Sequence, residues 1–363
     1  MVGDEDFAAW FRLLETPGVG REWARRLLAA CGSPAAVFGS SEQALRQIAG
    51  PTISKALRQE APEFASRLSA ARRWLAGGPD RCVLTLDDPA YPRALLQTAD
   101  PPLLLYVQGD PAVLQRPSLA LVGSRKPTAQ GADNATAFAR ELAMQGWVIV
   151  SGLAQGIDGA AHEGALEGGA PTVAVIGTGP DRVYPARHRA LAQRIASSGA
   201  IVSEYAPGTP PLPENFPPRN RIIAGLTQGT LVVEAALRSG SLITARLASE
   251  CGREVFAIPG SIHSPQSRGC HALIKQGAKL VESAQDILDE LHGTASPPAF
   301  SAAEAPPASP LLEALGHDPV TLDALMARTG EAASTLSAQL LELELEGQVA
   351  RLPGGLFQRR RVG

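Results

Sequence analysis

The segment from Phe216 to Leu226 has residue types that bind phosphate-bearing ligands. It reads Phe-Pro-Pro-Arg-Asn-Arg-Ile-Ile-Ala-Gly-Leu, so two guanidinium groups and an amide, Arg219, Asn220 and Arg221, follow an aromatic ring. A guanidinium offers fork-shaped donors to phosphate oxygens, and an asparagine can read a base edge. The ring of Phe216 can stack on a base. The alternative is that both arginines pair with carboxylates on a solvated face and that Phe216 belongs to the core.

The chain as a whole is slightly acidic, with 33 basic and 36 acidic residues and a net charge of −3. This balance excludes a wholly basic nucleic-acid-binding protein, but it is compatible with a local basic groove. The window 182–221 has that local character, because it contains six arginines against only Glu204 and Glu214. The same window holds the aromatic residues Tyr184, Tyr205 and Phe216.

Glycine-bearing turns follow almost every strand that the middle of the sequence predicts. They are Gly123-Ser124-Arg125, Ser151–Asp158, Gly177–Gly179, Ser203–Gly208 and Pro259–Ser261. In a parallel sheet such turns meet at the carboxyl edge of the strands, where ligands bind. Glycine lets a ligand approach the backbone, and the helix N-termini that follow direct N–H groups at an anion. Together the turns predict a phosphate-binding crevice, although any single glycine could merely close a short turn.

Common signatures of nucleotide enzymes and hydrolases are missing from the sequence. Gly177-x-Gly179 is followed by Arg182 where a dinucleotide fingerprint needs a third glycine, and neither a P-loop, an H-E-x-x-H nor a G-x-S-x-G motif occurs. The four cysteines are scattered without a C-x-x-C pair, which is typical of a reducing compartment and gives no zinc site. The sequence thus lacks the common signals of a nucleotide motor, a zinc hydrolase and a serine hydrolase. No apolar run approaches the ~18–20 residues that span a bilayer, so we predict a cytoplasmic protein without a membrane segment.

Short β-branched or leucine-rich runs alternate with amphipathic runs of helix length in the middle of the chain. The predicted strands are Leu119–Val122, Trp147–Val150, Thr172–Ile176, Ala200–Val202, Thr230–Val233, Glu254–Ala257 and Lys279–Val281. The predicted helices between them include Asp133–Met144, Ile157–Glu167, Arg187–Ser197 and Leu242–Cys251. This alternation predicts an α/β fold with a parallel sheet covered on both faces.

The outer parts of the chain have a different character. Residues 1–80 predict a small helical domain of SAM or helix-hairpin-helix type, whose Pro17–Gly20 turn, followed by Arg21, Arg25 and Arg26, would either grip DNA phosphates or serve as a structural turn. Residues 293–310 are rich in proline and alanine and predict a linker. Residues 311–363 predict a winged helix, whose acidic recognition helix, 333–346, favours protein contact or accessory packing over duplex DNA. The arginines 359–361 could contact nucleic acid, but we expect them to form a solvent-exposed tail.

Several motifs of the middle segment occur together and in order. They are Gly123-Ser124-Arg125, Ser151-Gly152-x-Ala154-x-Gly156-Ile157-Asp158, Tyr184-Pro185, Ser203-Glu204-Tyr205, Phe216–Leu226, Glu234-Ala235, Ser239–Ala245 and Pro259-Gly260. Over residues 81–290 this set resembles the DNA-processing protein A (DprA/Smf) family of recombination mediators in natural transformation. The helical front and the winged-helix tail match the architecture of longer family members.

The resemblance implies an extended Rossmann-like domain, residues 81–292, that binds single-stranded DNA in a basic pocket without hydrolysing it. It also implies a homodimer that loads the recombinase RecA and has no catalytic residue, no cofactor and no metal. In such a pocket Arg125 would lie inside, Gly152 would let the strand approach and Phe216 would stack on a base. Arg219, Asn220 and Arg221 would shape the pocket, directly or by supporting it, and the 239–241 turn would line its rim. The full predicted binding set is Gly123, Ser124, Arg125, Gly152, Phe216, Arg219, Asn220, Arg221, Ser239, Gly240 and Ser241.

Two positions depart from the family pattern. Many relatives carry a lysine where this chain has Pro213, which removes an expected phosphate contact and implies either weaker binding or a substitute contact such as Arg187. His271 stands where relatives usually have asparagine, so the role of that position is open.

The rival interpretation is an enzyme. The same sheet resembles nucleoside-monophosphate phosphoribohydrolases of the lysine-decarboxylase-like type, but only Gln228-Gly229-Thr230 and Glu234 echo their motif, and the double glycine is missing. We expect Glu234 to be a buried partner for an arginine rather than a group that stabilises an oxocarbenium-like centre.

Overall fold

The N-terminal part of the chain is helical. The computed structural model describes residues 3–292, 309–316, 318–352 and 354–360. The first five helices are α1 (Asp4–Glu15), α2 (Arg21–Cys31), α3 (Pro34–Gly39), α4 (Glu42–Arg58) and α5 (Phe64–Ala76). Serine side chains begin two of them, since Ser33 Oγ accepts from Ala36 N and Ser41 Oγ accepts from Ala44 N. The aromatic side chains of α1 pack inward and give this part its own core.

A nine-stranded sheet forms the centre of the molecule. Its strands are β1 (Arg81–Thr85), β2 (Leu104–Gly109), β3 (Ser118–Val122), β4 (Val148–Ser151), β5 (Thr172–Ile176), β6 (Ala200–Ser203), β7 (Gly229–Val232), β8 (Glu254–Ala257) and β9 (Lys279–Leu280). Their spatial order is β1-β2-β6-β5-β4-β3-β7-β8-β9. The strands from β3 to β9 pair in parallel, whereas β2 pairs antiparallel with both β1 and β6.

Helices cover both faces of this sheet. They are α6 (Arg93–Leu96), α7 (Ala129–Met144), α8 (Ile157–Glu167), α9 (Arg189–Ser198), α10 (Phe216–Leu226), α11 (Ser241–Glu250), α12 (Arg268–Lys275) and α13 (Ala284–His292). Alternate residues of β3 enter opposite cores: Ala120 and Val122 face α10 and α11, while Leu119 and Leu121 face α7 and α8. This two-sided burial explains why the strands are apolar runs without polar alternation.

The mixed α/β fold class with a large, mostly parallel sheet is confirmed, and each of the seven predicted strands lies within one residue of an observed strand at either end. Two strands, β1 and β2, were missed. Helix α7 begins at Ala129 rather than Asp133, because Thr128 Oγ1 accepts from Gly131 N and starts the helix earlier. Helix α9 begins at Arg189 rather than Arg187, because residues 186–188 form a 3-10 turn.

The C-terminal part is a small helical unit with a three-stranded sheet. Its elements are α14 (Pro310–Leu315), β10 (Val320–Thr321), α15 (Leu322–Thr329), α16 (Ala333–Leu345), β11 (Val349–Leu352) and β12 (Leu356–Arg359), with the sheet order β10-β12-β11. Arg360 is not a solvated tail residue, because its guanidinium contacts both carboxylate oxygens of Asp133 on α7, at 2.8 and 3.1 Å. Most of the predicted linker, 293–308, and Arg361 lie outside the described residues. Among the helices that are described, none has both the length and the apolar character for crossing a bilayer.

Candidate nucleic-acid interface

A pocket of about 640 Å³ lies at the carboxyl edge of β3, between α10 and α11. Most of the predicted binding residues line it, namely Gly123, Ser124, Arg125, Phe216, Arg219, Asn220, Ser239, Gly240 and Ser241. They come from the turn after β3, from α10 and from the segment that leads into α11. The expectation that loops and helix starts meet at this edge of a parallel sheet is met by this geometry.

Arg219 forms the floor of the pocket. It lies on α10, it is 4% exposed, and its Nε has no hydrogen-bond partner among the described residues. A buried donor without a partner costs on the order of 1–3 kcal/mol, more when it is charged. An anion in the pocket would offset part of this cost by contacting the side of the guanidinium that lines the pocket. Burial lowers the pKa of Arg219 to about 10, and Asp158 opposes this shift, so the guanidinium stays protonated at neutral pH.

Gly152 lies behind Arg219 and not on the surface of the pocket. A Cβ built on Gly152 would lie 1.8 Å from Nη1 of Arg219, so the missing side chain makes room for this guanidinium. Gly152 is buried and is not among the residues that line the pocket. This position favours an action on the pocket through Arg219, whereas the sequence predicts a direct approach of the strand.

Asp158, at the start of α8, fixes the turn beside Arg219. Its Oδ2 accepts the backbone N–H groups of Gly152 at 3.1 Å and of Ala154 at 3.2 Å. Burial raises the pKa of Asp158, and the attraction of Arg219 and these hydrogen bonds act against that shift. This role was not predicted, although Asp158 belongs to one of the motifs that mark the family.

Exposed cations surround the buried one. Lys126 and Arg238 line the pocket together with Arg125, and all three are exposed. Four cationic side chains therefore face the single carboxylate among the lining residues, that of Asp158. Lys126 and Arg238 were not predicted as binding residues, although each lies directly beside a motif that was.

Phe216 lies in an aromatic and cationic cluster at the pocket wall. Its ring centroid is 5.8 Å from that of Tyr184, and Cζ of Arg125 is 5.7 Å from it. Gly177 lies behind the ring, since a Cβ there would be 2.9 Å from a ring carbon of Phe216. The cluster brings together the predicted stacking ring, one predicted cation and Tyr184, which is 49% exposed.

The opposite rim is the turn before α11. The hydroxyl oxygens of Ser239 and Ser241 lie 2.7 Å apart, and Ser241 N donates to Ser239 Oγ at 3.4 Å. Asn220 Nδ2 donates to Gly240 O at 3.5 Å, a long bond that connects α10 to this rim. The serine hydroxyls and the start of α11 thus face the pocket, as an anion site requires.

Two family models match the chain. The model described as DNA recombination-mediator protein A matches residues 82–292, and the DprA winged helix domain matches residues 294–355. The chain belongs to the DNA recombination-mediator protein A family. The C-terminal part is accordingly a DprA winged helix domain.

Relatives in this family cover most of the chain. Protein Smf of Escherichia coli K12 is 45% identical over 78% of this chain and 79% of its own length, and DNA processing protein DprA of Streptococcus pneumoniae is 51% identical over 57% and 73%. The X-ray structure of DprA from S. pneumoniae has a TM-score of 0.68 at 38% identity, covering 80% of this chain and 98% of that one. DNA processing protein A of Helicobacter pylori, for which a single-stranded DNA binding mode is described, has a TM-score of 0.53 at 34% identity, covering 58% and 96%.

Arg221 does not reach the pocket in this family member. It is paired with Asp100 at 3.0 Å and with Glu204 at 2.5 Å, which is the carboxylate-paired alternative that the sequence left open. Burial acts to raise the pKa of Asp100, but Arg221 and the nearby arginines of α2 hold it below its usual range. Arg21 contacts Asp100 at 2.9 Å, and Arg25 also pairs with it.

This ion-pair cluster also decides between the two interpretations of the Pro17–Gly20 turn. Because Arg21 and Arg25 are engaged with Asp100, the turn packs the N-terminal helices against the sheet domain. Arg26 is paired with Glu22 on its own helix. These contacts support the interpretation of Pro17–Gly20 as a structural turn over the interpretation as a DNA-binding turn.

Glu234 has no arginine partner among the described residues, so that expectation is wrong. Its carboxylate accepts from Thr128 N at 3.0 Å and Thr128 Oγ1 at 2.5 Å, next to Gly131, because the N-terminus of α7 offers free donors there.

His271, one of the two positions that depart from the family pattern, holds a turn, with its Nε2 2.9 Å from Gly260 O. Pro213 begins a 3-10 turn. In the described part of the chain no group of three or more His, Cys, Asp or Glu side chains could hold a metal ion.

Proposed function

We propose that this pocket binds single-stranded DNA, with a backbone phosphate against Arg219. The observation that carries the proposal is a buried guanidinium whose Nε lacks a partner among the described residues, beneath a rim of three exposed cations. Phosphate is the anion that every nucleotide supplies, and the ring cluster around Phe216 offers sequence-tolerant stacking for an unpaired base. Gly123, Ser124, Arg125, Phe216, Arg219, Asn220 and the 239–241 turn are the proposed contacts, and Gly152 supports Arg219.

We further propose that the protein is a cytoplasmic, homodimeric recombination mediator that delivers the bound strand to RecA during natural transformation, without hydrolysing it. Membership of the DNA recombination-mediator protein A family supports this role, and so do relatives named DNA processing protein. The proposed division of labour is a helical domain over 1–80, the strand-binding domain over 81–292, a linker over 293–310 and a winged helix over 311–363.

Fluorescence anisotropy with labelled single- and double-stranded oligonucleotides across a salt series tests the binding proposal. We expect a strong preference for the single strand, little dependence on sequence, and an affinity that falls steeply with salt because phosphate contacts release counterions. Equal affinity for both forms, or binding that does not respond to salt, would refute it.

The enzyme interpretation is tested by incubating the protein with AMP and measuring free adenine by chromatography. We expect no turnover above a buffer control, since Glu234, the carboxylate that the phosphoribohydrolase motif would supply, is engaged by Thr128 and does not line the pocket. Clear release of adenine would overturn the proposal that the protein only binds.

A further inference from the structure

The loop between β5 and α9, residues 177–188, contacts the pocket wall at Phe216 and is here named the Tyr184 loop. The ring of Tyr184 contacts that of Phe216. Four residues on, His188 Nδ1 donates to Leu153 O at 3.0 Å. The same imidazole lies against the start of α8, since a Cβ on Gly159 would be 2.9 Å from its Cε1. The loop therefore contacts one residue that lines the pocket, Phe216, and its other end is anchored at Leu153 and Gly159, which flank the lining residues Ala154 and Asp158.

Hydrogen bonds within the Tyr184 loop hold its shape. Thr178 Oγ1 donates to Arg182 O at 2.7 Å, and Arg182 N donates to Gly179 O at 3.0 Å. The turn that follows is closed by His188 N, which donates to Pro185 O at 3.0 Å. A loop fixed in this way presents its outward side chains without a large cost in conformational entropy on binding.

The Tyr184 loop and the start of α9 expose one ring and several cations. Tyr184 is 49% exposed, and the side chains of Arg182, Arg187 and Arg189 are exposed as well. Within the described residues the guanidinium groups of Arg187 and Arg189 form no hydrogen bond or ion pair, and Arg182 has only a 3.9 Å contact with its neighbour Asp181. These guanidinium groups are therefore free to bind a phosphate group of a ligand.

We propose that the strand leaves the pocket across the Tyr184 loop, where Tyr184 stacks on the base next to the one at Phe216 and Arg187 and Arg189 bind the following phosphates. This inference rests on the proposed function and adds a second stretch of contacts to it. Two adjacent rings followed by unpaired guanidinium groups match the alternating bases and phosphates of an unpaired strand. A duplex would not fit the same surface, because its bases are already stacked on one another.

The test compares variants on oligo-dT of increasing length, from about 4 to about 16 nucleotides, the range over which single-strand sites extend. A short oligonucleotide reaches the two rings, and a long one also reaches Arg187 and Arg189. We expect Tyr184→Ala to weaken binding of both lengths by about fivefold or more, the effect of losing one stacked base, because each length carries the base next to the one at Phe216. Tyr184→Phe should keep the wild-type affinity for both.

Arg187→Ala should weaken only the long oligonucleotide and lower the slope of log affinity against log salt by about 0.7 per lost phosphate contact. Arg194→Ala is the matched control, because Arg194 is an exposed arginine of α9 that is paired with Glu163. Losses of affinity in Tyr184→Ala and Phe216→Ala that do not add in the double variant would show that the loop merely supports Phe216. An Arg187→Ala variant that behaves like Arg194→Ala would equally overturn the inference. If the wild-type protein binds neither length, the proposed function itself fails.

Discussion

Replacing Gly152 by alanine is expected to abolish most of the strand affinity while leaving the protein folded. The new Cβ would lie 1.8 Å from Nη1 of Arg219, and only the guanidinium end of that flexible side chain has to move. The backbone of Gly152 is not in the left-handed region, and its N–H bond to Asp158 is made by the main chain, so alanine retains both. The substitution therefore displaces the charge at the pocket floor without removing it.

The size of the effect follows from the bond that is lost. A hydrogen bond to a charged group contributes about 1.5–3 kcal/mol, and every 1.4 kcal/mol is a factor of about ten in affinity. Gly152→Ala should therefore weaken oligo-dT binding roughly tenfold to a hundredfold in fluorescence anisotropy. Gly39→Ala is the control, because a Cβ at Gly39 meets nothing within 4 Å and should leave both affinity and unfolding temperature unchanged.

A double-mutant cycle with Arg219→Ala separates the two roles considered for Gly152. If Gly152 acts through Arg219, adding Gly152→Ala to Arg219→Ala causes no further loss of affinity. If the strand touches Gly152 itself, the two losses add, and an indirect role for Gly152 is refuted. Wild-type affinity in the single Gly152→Ala variant would refute it as well.

Three further substitutions test the charges around the pocket and in the core. Arg125→Ala should weaken oligo-dT binding, lower the salt slope by about 0.7 and leave thermal unfolding unchanged, because the side chain is exposed; an unchanged slope would exclude a phosphate contact. Arg221→Ala should lower the free energy of unfolding, measured in urea, by about 2–4 kcal/mol, since it leaves the carboxylates of Asp100 and Glu204 without this partner. It should reduce strand affinity far less than Arg219→Ala does, and a larger loss of affinity in Arg221→Ala would place Arg221 at the pocket. Burial lowers the pKa of His162 to about 3, whereas the unfolded state titrates near 6.5, so stability should fall as pH falls from about 6.5 towards 3, by at most about 1.4 kcal/mol per pH unit. His162→Gln should reduce that slope in urea unfolding at several pH values, and an unchanged slope would assign it to other groups.

The strands of the parallel sheet could be located from the sequence because buried parallel strands are short apolar runs, and this pattern is local. Strands β1 and β2 could not, because β2 pairs antiparallel with both β1 and β6, and β6 lies far along the chain. The turns at the carboxyl edge were predicted for a similar reason, since a parallel sheet brings them together whatever their individual sequences.

The sequence did not assign Arg219 and Arg221 to different sites, because the Arg-Asn-Arg motif alone does not show that its residues belong to a helix. Helix α10 turns about 100° per residue, so residues two apart point to opposite sides. Arg219 consequently enters the pocket, and Arg221 faces Asp100, which lies 121 residues earlier in the chain. A helix assigned over 216–226 would have shown that both arginines cannot contact one ligand, but only the fold could supply the carboxylates.

The same helix connects the N-terminal domain to the pocket. One side of α10 is fixed by the contact of Arg221 with Asp100, to which Arg21 and Arg25 of α2 are also bound. The other side places the Arg219 guanidinium in the space left by Gly152. Because a rotation of α10 that moved one arginine would move the other, the ion-pair cluster holds the guanidinium in the orientation that the pocket needs. In the proposed function, the arginines of α2 thus contribute to anion binding through the position of a helix, without contacting the anion themselves.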